Sequence, residues 1–579
     1  MNYVVHSGAT RRKKKGYARI QVFTDVSHIP TDPTSSYELE CSISERVSEK
    51  KMNQLEIFRD NGLGLLVALG LSWAIWVSLS PKQRYNGELF NDRKPFEWFY
   101  GNAKKRFLND GGNILKMTTR EVEMILGPKY WQEIHDDRFD MAERIDQMLH
   151  ANVPGFGVIK QDPEANKIFS ATFQSRAVRE IGEWETFIPH VWSSMLIAFF
   201  ASYQGNFLVP LSDEIIHYLK TQWTDITDWH AISLYPSIVD LVAQETSRLF
   251  LGPELCRDQH WLQTIEKYLN SFFAGIDLLD SCTPIFRPIV AKFSPTGKRV
   301  RSNMAEASRV LSRFISKRRA QDARGETHND LLQWFDDGAR GAPYDPTIFI
   351  LRAFLAAIHS TSDLLTKTLF EICAHPDLID DLREEAARVF KQHGLKKTAI
   401  YELRLMDSVI KETQRIKPLQ TTDAKLSPPA ACARVLLENV KLSDGLEIPK
   451  GTPIRLSNRN MWDPEASDYS NADQFDGYRF YKLRKLSGHE QKSQLVTVSA
   501  SHTGFGVGKH ACPGRFFAAT AMKLILCHIL LNYDIKFPDG QSPRTLWRAE
   551  AQIPDAAFQV VVRRRKEEFD LSSLLQAVN

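Results

Sequence analysis

A chain of 579 residues that is 43% hydrophobic and 25% charged has ample material for a large globular core. Its formal net charge of +4 is too small to imply a nucleic-acid partner, and no internal repeat or long low-complexity linker divides it. Seven scattered cysteines (Cys41, Cys256, Cys282, Cys373, Cys432, Cys512 and Cys527) show no metal-ligand spacing, a usage that suits a reducing compartment.

Residues 1–59 are polar and carry no helical or strand periodicity, so they read as a disordered extension. The basic run Arg11-Arg12-Lys13-Lys14-Lys15 reads as a nuclear or nucleic-acid signal or, more simply, as a solvated charge cluster. From Gly62 to Leu79 eighteen residues pass without a charge, close to the roughly 20 that span a bilayer, and residues 60–80 are expected to form a transmembrane anchor. Trp73 and Trp76 suit an interface, and Lys82 and Arg84 just behind place the following residues on the cytoplasmic side. A cleaved signal peptide fits less well, because no small-residue cleavage site precedes Lys82.

Residues 81–579 then read as one large domain. Between Glu121 and Arg319 the pattern is mostly helical, as in Ile238, Leu241, Val242 and Leu249. The spacing predicts a long helix over Pro346–Cys373 whose first half is apolar nearly all round, so it should cross the interior. Its centre is Ala356-Ala357-Ile358-His359-Ser360-Thr361-Ser362. An amphipathic helix is expected over His375–Phe390, and another over Leu403–Ile416 sets Glu412 and Arg415 three apart on one face. By default such a pair lies at the surface and contributes little. Strand-like runs Arg434–Leu442 and Ile448–Leu456 flank a turn at Ser443-Asp444-Gly445.

Phe505-Gly506-Val507-Gly508-Lys509-His510-Ala511-Cys512-Pro513-Gly514-Arg515 is followed by an apolar, helix-forming run from Phe516 to Leu531. A lone cysteine in a glycine-rich turn before a helix is what an axial thiolate beneath a haem iron requires. Gly506 and Gly508 let the chain fold tightly and aim amide hydrogens at sulfur, and Pro513 suits the first turn of the helix. Thiolate ligation donates electron density that favours O–O cleavage. A phosphate loop fails on spacing, since it needs glycine at Thr503 and serine or threonine at His510. The dinucleotide fingerprint is met only weakly, through Ala511, and too late in the chain. Taken alone, Cys512 reads as a buried structural cysteine.

Its company reverses that reading. Phe505, Gly508, Cys512 and Gly514 resemble the haem-binding signature of the cytochrome P-450 family. Glu412-Thr413-Gln414-Arg415 matches the family's Glu-x-x-Arg helix, and Phe475-Asp476-Gly477-Tyr478-Arg479-Phe480 matches the segment that supplies a second arginine. The resemblance covers roughly Lys94 to Arg565 and implies a mainly α fold with a small β region, a single large haem domain behind the N-terminal anchor. It implies that Cys512 is the axial ligand of haem b, held by a turn containing Phe505, Gly508 and Gly514, with Arg434 and His510 binding haem propionates. It makes Glu412, Arg415 and Arg479 a buried structural network, and the loop Ala424–Ala431 part of the substrate pocket. The family's chains usually begin near Met52, which makes the first 51 residues an expected over-extension.

Two departures stand out. The Trp-x-x-x-Arg helix that often grips a propionate is absent from the sequence before Tyr344. In the long helix, where the family carries an acid and a threonine that manage protons during oxygen activation, His359 replaces the acid and Ser360 the threonine, with Thr361 beside it. Serine keeps a hydroxyl and histidine titrates near neutrality, so the chemistry is retained. His359 reads equally as a core histidine with its hydrogen bonds satisfied.

The resemblance thus implies a monooxygenase of the endoplasmic reticulum membrane, single-pass, acting on a hydrophobic small molecule. Stretches such as Ala356-Ala357-Ile358-His359 look like fungal enzymes that oxidise terpenoid or meroterpenoid secondary metabolites. No flavin or nicotinamide domain is read in the chain, so electrons are expected from NADPH through a separate cytochrome P-450 reductase, docking where Lys509 and Arg515 offer positive charge. A reductase-independent, peroxide-rearranging isomerase and a non-catalytic haem protein are the alternatives.

Overall fold

Several helices in this chain start on side-chain caps. Asp140 accepts the Glu143 amide at 2.7 Å to open α1 (Met141–Met148), and α2 (Leu234–Leu251) follows a short strand. Asp258 accepts the Trp261 amide at 2.6 Å before α3 (Gln259–Asp280). Ser294, with Pro295 in the first turn, opens α4 (Pro295–Asp322). Asp345 takes the amides of Thr347 and Ile348 at 2.9 and 3.2 Å ahead of Pro346, starting α5 (Pro346–Ala374). Helices α6 (Asp377–His393), α7 (Arg404–Ile416) and α8 (Arg515–Asn532) complete the set that frames the site.

The computed structural model describes residues 114–117, 122–160, 208–326, 328–419, 430–464, 467–512, 514–548 and 551–566, with 569, 571 and 573–576. The chain divides into two compact units, Met1–Asn91 and Asp92–Asn579, and every described residue belongs to the second. The basic run near residue 11, the apolar segment 62–79, Pro513 and most of the loop Ala424–Ala431 lie outside the described residues.

Helix α5 runs through the main core, in contact with α2, α7 and α8. At its centre Phe354 meets Phe250 of α2 and Trp261 of α3 edge-on, with ring centroids 5.0 and 5.4 Å apart. Both α5 and α8 are long and apolar enough to cross a membrane, but 61% and 78% of their most apolar stretches lie inside the protein, which makes them core helices.

The strands are few. A five-stranded sheet runs in the order β1 (Ile114–Met117), β2 (Val122–Leu126), β6 (Pro453–Ser457), β5 (Ala430–Leu436), β3 (Phe139–Asp140), parallel only between β2 and β6. A three-stranded antiparallel sheet joins β4 (His230–Ser233), β8 (Gln559–Arg564) and β7 (Tyr533–Lys536). Three of these strands, β2, β3 and β4, sit inside the stretch 121–319 read as mostly helical; pairing with β6, β5 and β8 overrides any local preference of such short segments.

The pair of long strands expected around Asp444 is divided. Val440–Lys441 pairs with Glu447–Ile448 at the turn, and β5 pairs with β6 in a separate ladder. That ladder carries a bulge between Ala431 and Arg434, with Cys432 in the left-handed region at φ 56°.

Candidate functional site

The loop before α8 is shaped by two left-handed glycines, Gly506 at φ 82° and Gly508 at φ 53°. Between them and the helix, the Cys512 amide donates to the Phe505 carbonyl at 2.7 Å and the Gly506 amide to Thr503 at 2.8 Å. This closes the turn and sets Cys512 at the foot of α8. Protein packed around the sulfur pushes the Cys512 thiol up, against the opposing pull of the Gly514 and Arg515 amides and the Arg515 guanidinium. A metal bound there would deprotonate it, and the same amides would then stabilise the thiolate.

Close approach also fixes glycine at two positions in the loop. A Cβ on Gly508 would overlap the His135 ring, and one on Gly504 would overlap the Gln414 side chain. Gln414, the third residue of Glu412-Thr413-Gln414-Arg415, also bonds His502 Nε2 through its Oε1 at 3.0 Å, tying α7 to the loop. Gly514 differs, since a Cβ there meets no protein atom within 4 Å and its φ is −84°. Protein packing alone does not demand glycine at that position.

Arg515 corrects one expectation. It is buried, not a surface charge; its Nε donates to the Val496 carbonyl at 3.0 Å and its Nη1 to the Cys512 carbonyl at 2.8 Å. Burial lowers its pKa to about 10, partly offset by Cys512. The side chain of Lys509 lies outside the described residues.

A cavity of about 440 Å³ lies between this loop and α5. Thr503, Gly504, Gly506 and His510 line one side, and Arg352, Leu355 and Ala356 of α5 line another. Ile145, Leu149, Phe272 and Phe273 make much of its wall apolar, and the bulge in β5 brings in Cys432, Ala433 and Arg434. Arg434 is buried at 1% exposure; its Nη1 donates to the Ala433 carbonyl at 2.8 Å and its Nε has no protein partner. Burial lowers its pKa, with Cys432 and Asp140 acting the other way. A buried guanidinium with an unused donor is costly unless an anion meets it, and one end of this cavity is therefore built to receive negative charge.

The long-helix residues separate. Ser360 Oγ donates to the carbonyl of Ala356 at 2.6 Å, so its hydroxyl folds back onto a residue that lines the cavity. Thr361 is buried and lines neither this cavity nor the next. His359 packs edge-on against Phe273, centroids 5.2 Å apart, and lines a second cavity of about 280 Å³.

Glu412, Arg415 and Arg479 come together in the core. Glu412 and Arg415 are fully buried, and the Glu412 carboxylate accepts from Arg415 Nε at 2.8 Å and Nη2 at 2.7 Å, from Arg479 Nε at 3.0 Å and from the Asp476 amide at 2.9 Å. The remaining guanidinium hydrogens go to carbonyls including those of Met461, Ala472 and Gln474.

Arg352 escaped sequence reasoning. It donates from Nε to the Val158 carbonyl at 3.1 Å and from Nη2 to Lys160 at 2.5 Å, pinning the turn at 157–160 beside the cavity. The available signal was a single charge in an otherwise apolar half-helix.

A family model described as Cytochrome P450 matches residues 193–559. Cytochrome P450 monooxygenase prhD of Penicillium brasilianum is 62% identical over 537 residues, covering 90% of this chain and 99% of that protein. Cytochrome P450 monooxygenase esdpI of Penicillium shearii is 40% identical, covering 87% of this chain and 97% of its own. Among solved structures, the cytochrome P450DA heme domain superposes with a TM-score of 0.58 at 17% identity, over 81% of this chain and 92% of that one. A retinoic acid-bound cyanobacterial CYP120A1 gives 0.57 at 17% identity, over 81% and 95%.

Proposed function

The chain belongs to the cytochrome P450 family of monooxygenases, and from that premise we propose that it oxidises a terpenoid or meroterpenoid intermediate of fungal secondary metabolism at a haem ligated by Cys512. The observation that carries the reading is the cysteine loop, with the Cys512 sulfur facing the amides of Gly514 and Arg515 at the N-terminus of an 18-residue helix, next to a largely apolar cavity. Family membership implies haem as the cofactor. When bound, haem supplies oxygen activation, and its thiolate ligand donates the electron density that favours O–O cleavage.

The chain's own residues fit that group. The orphaned Nε of Arg434 and the imidazole of His510 line the same cavity and suit the two propionates. Gly506 and Gly508 hold the turn, Phe505 fixes the Cys512 amide, and Gly514 leaves open space at the foot of α8. The Glu412–Arg415–Arg479 network braces α7 against the segment 470–479 and takes no part in bond making. Ala356, Leu355 and Phe273 exclude water and shape the space for an apolar substrate; Ser360 holds a proton on Oγ at its edge, with Thr361 and His359 behind it. Residues 60–80 anchor the chain in the endoplasmic reticulum membrane with the haem domain in the cytoplasm, and a separate NADPH-dependent reductase supplies electrons.

Yeast microsomes carrying the protein and a reductase test this with a panel of terpenoid precursors, NADPH and ¹⁸O₂. One ¹⁸O atom in a product, dependent on NADPH and reductase, is the expected result. Conversion with neither reductase nor NADPH would favour the peroxide-rearranging alternative, and the absence of any terpenoid product alongside oxidation of another class would overturn the substrate assignment.

A further inference from the structure

Buried cations in this protein are paired, with two exceptions. Apart from Arg434 and Arg515, every arginine buried among the described residues meets a carboxylate, as Arg415 and Arg479 meet Glu412 and as Arg144 and Arg455 meet Glu123. Both exceptions stand beside the cysteine turn. Arg434 lines the first cavity, where a propionate accounts for it, but Arg515 does not line that cavity and opens α8 on the far side of Cys512 in the chain.

The polar contacts of Arg515 among the described residues are carbonyls alone. Its Nε donates to Val496 at 3.0 Å and its Nη1 to Cys512 at 2.8 Å, and its guanidinium lies 4.7 Å from the centroid of the Phe516 ring. Carbonyl dipoles and a ring face leave a full positive charge buried without an anion. Its place in the helix adds to the cost, because the first residue of a helix sits at the positive pole, where acids are favoured and cations are not. No acid stands in the first turn of α8. A cation both desolvated and set against the helix dipole calls for an anion, and the adjacent group that can become one is the Cys512 sulfur.

We propose that Arg515 is the fixed counter-cation of the Cys512 thiolate, a positioning residue whose charge sets how readily the haem site accepts an electron. The inference rests on the reading that Cys512 ligates haem iron. One-electron reduction by the separate reductase adds one negative charge at the metal, while no bond forms or breaks at Arg515. A cation held next to the sulfur therefore favours the reduced form and raises the reduction potential.

The surroundings keep that cation in place. Val496, which holds the Arg515 Nε, follows two residues gripped by α7: Lys411 Nζ donates to the Gln494 carbonyl at 2.6 Å, and the Asp407 carboxylate accepts the Leu495 amide at 2.7 Å. One end of the guanidinium is thus tied to the braced core and the other to the residue that carries the sulfur. The two groups sense each other: burial lowers the Arg515 pKa to about 10, and Cys512 is the group that opposes it.

Arg515→Gln removes the charge, and Arg515→Lys keeps it while giving up the forked pair of hydrogen bonds. Spectroelectrochemical titration of the haem-loaded full chain in detergent reads the potential of each. At a fixed electrode potential the ferrous-to-ferric ratio should fall about tenfold in Arg515→Gln, a downward shift of about 59 mV for one electron, and stay within about twofold of the wild type in Arg515→Lys. An Arg515→Gln protein that loads no haem, beside an Arg515→Lys protein that loads it at the wild-type potential, equally supports the charge. A wild-type potential in Arg515→Gln, a shift in Arg515→Lys as large as the one expected of Arg515→Gln, or failure of both to load haem would make Arg515 a packing element and overturn the proposal. A haem-loaded wild type without the thiolate spectrum under carbon monoxide would instead refute the ligation reading on which it rests.

Discussion

Replacing Glu412 with glutamine keeps the volume of the side chain and removes one charge from the most enclosed ion network described. The carboxylate is fully buried and faces two guanidinium groups, Arg415 at 2.7 and 2.8 Å and Arg479 at 3.0 Å. Without it both cations remain buried with only carbonyl dipoles and the Tyr469 ring for company, and removing one partner of a buried pair costs about 3–5 kcal/mol. At 1.4 kcal/mol per decade this shifts the unfolding equilibrium by roughly 10² to 10⁴. Glu402 and Arg404 make the control: their pair is also short, 3.1 Å, but a third to a half exposed, and Glu402→Gln should cost about 0–1 kcal/mol. The assay is the urea midpoint of the full chain in detergent, read by tryptophan fluorescence. A Glu412→Gln protein within about 1 kcal/mol of wild type, indistinguishable from the Glu402→Gln control, would refute the claim that this network braces the core.

Three further outcomes follow from the geometry. Gly508→Ala forces a left-handed backbone at about 1–2 kcal/mol and drives a methyl into His135, so haem bound per protein should fall, and adding His135→Ala should restore part of it; full loading of the single variant would contradict this. Glu245 is almost fully buried, and burial, then the charge of Glu214, raises its pKa to about 8, so the folded state holds this proton better than the unfolded one. Its stabilisation is complete below about pH 4.5 and is lost as pH climbs through 8; Glu245→Gln should flatten the pH dependence of the urea midpoint there, and an unaltered slope would count against it. Ser360→Ala should leave NADPH consumption running while product per NADPH drops, and equal coupling would move proton handling to Thr361 or water.

The parts of the site that were legible in the sequence are those set by local chemistry. Asp345-Pro346 marks the start of α5, Glu412 and Arg415 share a face because helices repeat every 3.6 residues, and the glycines at 506 and 508 announce left-handed backbone. What was not legible depends on partners distant in sequence. The parallel pairing of β2 with β6 makes a strand of residues with no strong local preference, and the bulge that turns Arg434 inward exists only relative to β6. Cys432 at φ 56° is not a residue type that signals such a conformation. Arg515 looks like a surface cation until the Val496 and Cys512 carbonyls claim it. That His359 lines one cavity while Ser360 bonds back to Ala356 at the other is set by the helices packed on either side, since both residues sit in the same small stretch.

The central claim is that the Cys512 sulfur bonds to haem iron, and the absorbance of the purified, dithionite-reduced protein under carbon monoxide tests it most directly. The account predicts the strongly red-shifted Soret band of thiolate ligation in the wild type and its loss in Cys512→Ala. An intact, haem-loaded wild type without that band, or a Cys512→Ala protein that keeps it, would contradict the account.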